Sequence, residues 1–150
     1  MTDSRVLAGM RRDGLIVHGN RRYGAEYATD VPELDRLTAR GCVPVVHVGQ
    51  VDAVFALAAY PVHWTRVLLW CSRDVTAERS VGRGDVDGDA RLRVWEETYA
   101  DLEAHREVRW SVIVRTDRTS PDESAALIRQ AVRDRAPDRF TPAHLLRGGS

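Results

Sequence analysis

Short β-branched runs alternate along this chain with stretches whose apolar residues recur every three or four positions, and that rhythm predicts strands joined by crossover helices. Leu15-Ile16-Val17 is the first run, and the polar segment His18-Gly19-Asn20-Arg21-Arg22-Tyr23-Gly24 after it predicts a turn. Val31 to Leu37 opens a helix with Asp30 as its N-cap and Pro32 in the first turn, and Gly41 is the C′ residue that closes it. Val43-Pro44-Val45-Val46-His47-Val48 predicts a strand whose second half is apolar on both faces, as in parallel strands covered by helices. Pro44 falls near its start, where a missing N–H is tolerated.

A helix over 50–59 ends before Pro61, and Arg66-Val67-Leu68-Leu69-Trp70-Cys71 is the next strand. Ser72 can cap the following helix, which breaks at Gly82-Arg83-Gly84 ahead of the acidic loop 85–89. A long amphipathic helix runs over 90–105 with Leu92, Trp95, Tyr99 and Leu102 on one side, and Trp110 to Val114 is a third strand. Ser120, Pro121 and Glu123 spell a capping box. The organisation expected is one α/β domain over 1–136 and a weakly ordered tail over 137–150, which holds two prolines and ends Arg-Gly-Gly-Ser.

Composition narrows the function classes. The 22 basic and 22 acidic residues cancel to a formal net charge of +0, which argues against nucleic acid or an anionic membrane as a partner. All the basic residues are Arg, so the chain has no Schiff-base lysine and no Walker A loop, G-x-x-x-x-G-K-[ST]. Cys42 and Cys71 are too few for a disulfide framework and lack metal spacing, and both are read as ordinary buried thiols. No apolar run has the length of a signal peptide or a membrane helix, so the expected compartment is cytoplasmic.

Two clusters could carry chemistry. The segment 18–24 gathers His18, Asn20, Arg21, Arg22 and Tyr23 around glycines, and a guanidinium fork with a phenol donor suits a phosphate group. Arg79, Arg83, Arg91 and Arg93 straddle the glycine break, where positioned positive charge could stabilise a transferring phosphoryl group. Each cluster has a bland counterpart, a solvated loop for the first and helix-surface ion pairs for the second. His47 is read as a core or rim residue rather than a base, and the tryptophans at 64, 70, 95 and 110 as core or rim.

The order of these segments resembles the guanylate kinase family and its nucleoside-monophosphate kinase relatives. The segments are His18 to Gly24, Arg79-x-x-x-Arg83-Gly84, Arg91-Leu92 with Glu96 and Glu97, and Val112 to Asp117, together spanning about residues 8 to 135. The resemblance implies a three-layer, P-loop-kinase-like parallel sheet flanked by helices. It implies that Tyr23, with His18, Asn20, Arg21 and Arg22, holds the acceptor phosphate, and that Arg79, Arg83 and Arg91 face the transferring phosphates. Thr116 and Asp117 would border the adenine of ATP, with Mg2+ as its companion ion. In that family the central phosphate-loop strand lies upstream of everything matched, and this sequence lacks that motif. Strand 43–48 is therefore expected to pair directly with 66–71, and 66–71 with 109–115. The activity implied is ATP-dependent phosphoryl transfer to a nucleoside monophosphate or another small phosphorylated acceptor, given a phosphate loop. The alternative is a catalytically inactive kinase-fold binding or interaction module. A homodimer through exposed sheet edges is the oligomeric state expected.

Overall fold

Helix formation begins earlier than the apolar pattern indicates. In the computed structural model, which describes residues 4–22, 25–82 and 88–146 and only the backbone of 4, 20–22, 25 and 26, Ser4–Arg12 forms α1. Leu7 is its buried residue. Gly14, at φ 68, ends it: the Leu15 amide donates to the Met10 carbonyl at 2.8 Å and the Gly14 amide to that of Arg11 at 3.1 Å. This is the paired-bond helix stop that a left-handed C′ residue allows.

The tract expected to be a polar turn is instead mostly strand. Ile16–Arg22 (β1) pairs antiparallel with Ala25–Asp30 (β2), with His18 opposite Thr29, Asn20 opposite Tyr27, Arg21 opposite Glu26 and Arg22 opposite Ala25. The Val31 amide donating to the Leu15 carbonyl at 2.9 Å closes the base of the hairpin. A polar ribbon can form here because half its hydrogen-bonding potential is met across the ladder, whatever the side chains.

Val31–Ala39 (α2) follows without a break, and its ends match expectation. Asp30 Oδ1 accepts from the Glu33 amide at 2.9 Å, and Gly41, at φ 71, lets Cys42 and Gly41 donate to the Leu37 and Thr38 carbonyls at 3.0 and 2.9 Å. Replacing either Gly14 or Gly41 with Ala forces a Cβ into a left-handed backbone, and each variant is expected to lose about 1 kcal/mol in denaturant unfolding. Val51–Ala58 (α3) packs on β1 and buries Val51, Ala53 and Leu57. The Tyr60 hydroxyl donates to Asp35 Oδ1 at 2.5 Å, tying the chain after α3 back to α2, and that bond together with burial raises the phenol's pKa.

Residues 43–48 depart from expectation most clearly. They form no strand and are in neither of the two described sheets. His47, read as core or rim, is exposed.

The chain divides into two compact units, Met1–Val62 and His63–Ser150. In the second, Val67–Trp70 (β3) pairs parallel with Val112–Arg115 (β4), in register from Val67 opposite Val112 to Trp70 opposite Arg115, as expected for 66–71 and 109–115. Between them run Arg73–Gly82 (α4) and Gly88–Ala104 (α5), which pack together, while Pro121–Arg133 (α6) packs on β4. The capping box at Ser120 and Glu123 is present in both directions. The architecture is thus mixed α/β with one antiparallel and one parallel pair, not a single three-layer parallel sheet among the described residues.

Part of the expected loose tail is anchored by contacts at Asp138, Phe140, Pro142 and Leu145. Phe140 bridges Trp110, Pro142 is among the most fully buried side chains, and Ala143–Leu146 (α7) buries Leu145. Ser111, 2% exposed, donates to Asp138 Oδ1 at 2.6 Å and accepts from the Arg66 amide at 2.9 Å, while Arg66 also pairs with Asp138. No periodicity marks 137–146, because what holds it is a set of contacts to residues far away in sequence.

Candidate functional site

Parallel strands aim their carboxyl ends at the same side, and in open α/β sheets that edge is where ligands bind. Here the carboxyl edge of β3 and β4 presents Cys71, Ser72, Thr116 and Asp117, and α4 brings Arg79 to it. The Arg79 guanidinium is exposed, donates through Nη2 to the Thr116 carbonyl at 2.8 Å and directs Nη1 at Cys71 Sγ, 3.7 Å away. The Thr116 amide and hydroxyl both donate to the Trp70 carbonyl, at 2.8 and 3.0 Å, so the turn after β4 is held to the end of β3. Trp95 Nε1 on α5 donates to the Cys71 carbonyl at 2.9 Å.

Asp117 is spent within this edge. Arg115 grips both its oxygens, at 3.0 and 2.7 Å, and the carboxylate side chain is 6% exposed. The hydrogen bonds from Arg115 hold its carboxyl below the ordinary carboxylate value, against the opposing effect of burial. The same partner raises the Arg115 guanidinium.

The structure therefore brings Arg79 together with Thr116 and Asp117, residues that the sequence puts on separate elements. Arg91 lies exposed in α5. Arg83 and Tyr23 lie outside the described residues. His18, half-buried, and Asn20, Arg21 and Arg22 belong to β1. Two residues of the edge had no signal in the sequence. Cys71, read as buried, is half-buried beside Arg79, and Cys42 is exposed where the α2 stop turns the chain outward. Arg115 is the other, since nothing in the sequence marks it as the partner of Asp117 two residues on.

Neither half of the implied Mg·ATP site fits these residues. The acid at the carboxyl edge has both oxygens occupied by Arg115, and among the described residues no group of three or more His, Cys, Asp or Glu could hold a metal ion. The chain also has no lysine for the β- and γ-phosphates. No helix among the described residues is long and apolar enough to cross a membrane. Comparisons with protein-family models, with curated proteins and with solved structures found no match to this chain.

Proposed function

We propose that this chain is a binding module of guanylate-kinase-like character that takes a small phosphorylated ligand, such as a nucleoside monophosphate, at the carboxyl edge of β3 and β4. These residues alone do not carry out ATP-dependent phosphoryl transfer. The observation that supports the reading is the exposed Arg79 guanidinium held at that edge by the Thr116 carbonyl. Its pinned Nη2 fixes the plane of the group, and a guanidinium with five N–H donors keeps others for a phosphate oxygen. In a kinase-like arrangement β3 and β4 would be the flank of a larger parallel sheet, and transfer would require a lysine-bearing phosphate loop that these residues do not contain.

Titration followed by amide resonances tests the reading. Inorganic phosphate and a nucleoside monophosphate are expected to shift residues 71–79 and 116–117. Arg79→Gln is expected to weaken binding by about tenfold, the value of one charge-assisted contact. Shifts confined to other segments, or release of ADP from Mg·ATP by the purified chain, would overturn the proposal.

A further inference from the structure

Three guanidinium groups and one carboxylate meet at the turn after β4. Arg115 takes both oxygens of Asp117, whereas Arg79 is bound to a neutral acceptor, the Thr116 carbonyl at 2.8 Å. Arg118 is the third, and it is exposed. The Arg118 and Thr119 amides both donate to the Arg115 carbonyl at 2.9 Å, a tight turn that sets Arg118 two residues from the carbonyl pinning Arg79. Its charge also reaches this edge: the hydrogen bonds from Arg115 chiefly hold the Asp117 carboxyl below its ordinary value, and Arg118 adds to that effect. Neither Arg79 nor Arg118 forms an ion pair with a described residue. Two acids of the flanking helices are engaged elsewhere, Glu96 of α5 by Arg73 at 2.7 Å and Glu123 of α6 by its own cap at Ser120.

We infer that Arg118 is a second ligand-binding residue of this edge and that, together with Arg79, it selects a terminal phosphomonoester over a phosphodiester. The inference rests on the anion site proposed at Arg79 and adds the kind of phosphate it takes. A phosphomonoester carries a charge of about −1.5 to −2 at neutral pH and three acceptor oxygens, enough to engage two guanidinium groups at once. A phosphodiester carries one negative charge and has two of its oxygens in ester bonds, so the second guanidinium gains little from it. One cation alone separates the two esters poorly, because each offers it an anionic oxygen. Asp117 does not supply the missing charge, since Arg115 already holds both its oxygens and its side chain is 6% exposed.

Titration of the intact chain with AMP and with cyclic AMP, followed by the amide resonances of residues 71–79 and 116–119, reads the preference, because the two probes share base and ribose and differ at the phosphate. AMP is expected to bind about tenfold more tightly, the value of one further charge-assisted contact. Arg118→Gln is expected to remove that advantage by weakening AMP alone, and Arg118→Lys, which keeps the charge, to retain most of it. Arg79→Gln is expected to weaken both probes. Because Arg118 is exposed, its substitution leaves the fold intact, which circular dichroism checks. Equal affinity of the native chain for the two probes, or a preference that survives Arg118→Gln, overturns the inference and leaves the Arg79 site standing. Silence of these resonances toward both probes overturns the Arg79 site and the inference with it.

Discussion

Trp70→Ala is expected to lower the stability of the second unit by about 3–5 kcal/mol, the range for emptying an aromatic site in a core. Trp70 is 6% exposed, and its ring meets Trp95 at 5.4 Å and Tyr99 at 6.3 Å between centroids, both tilted. Trp95 and Tyr99 in turn stack at 5.4 Å. These rings join β3 to α5, and Tyr99 donates to the Leu146 carbonyl at 2.8 Å, so the cavity would open where the strand, the long helix and the C-terminal segment meet. The backbone of Trp70 also receives both Thr116 bonds, so a shift of β3 would loosen the carboxyl edge. A loss on this scale is a large fraction of the roughly 5–15 kcal/mol that holds a domain together. Urea unfolding followed by tryptophan fluorescence measures it, and a change below about 1 kcal/mol would mean that the aromatic cluster does not organise this core.

Arg115→Met is expected to cost about 3 kcal/mol at neutral pH, the lower end for breaking a buried pair, because the Arg115 side chain keeps 26% of its exposure. Its pH dependence identifies the cause. In the native chain the Asp117 carboxyl titrates below its ordinary value of 3.8, so the stabilisation it contributes is complete above that value and is lost as pH falls through the lower folded one. In the variant a carboxylate that is 6% exposed loses the guanidinium that chiefly lowers its pKa, and burial is then opposed only by its own backbone hydrogen bond and by Arg118. The gap to the native chain then narrows as pH falls from about 4 through the lower folded value, where the native chain loses the contribution of the pair. Parallel unfolding curves across that range would show that the pair contributes nothing beyond packing.

What this sequence determines by itself is what neighbouring residues decide among themselves. Asp30 caps α2 and Gly41 stops it, Ser120 and Glu123 cap each other, and the runs at 66–71 and 110–114 become strands that pair in parallel. Each depends on groups within a few positions or on a continuous apolar run with helices on either side, and such energies are legible without the fold. Helix α1 was locally marked too, since Gly14 is the same kind of stop as Gly41, but its one buried apolar residue, Leu7, leaves little periodic pattern.

Tertiary structure decided the rest. Whether His18 to Arg22 is turn or strand depended on β2 being available to satisfy its amides, and the apolar pattern of 43–48 did not by itself place that run in either described sheet. Arg79 reached Thr116, and Ser111 reached Asp138, across 37 and 27 residues. Backbone hydrogen bonds and buried polar groups must be satisfied wherever the chain passes, and which distant segment satisfies them is fixed only when the whole chain has packed.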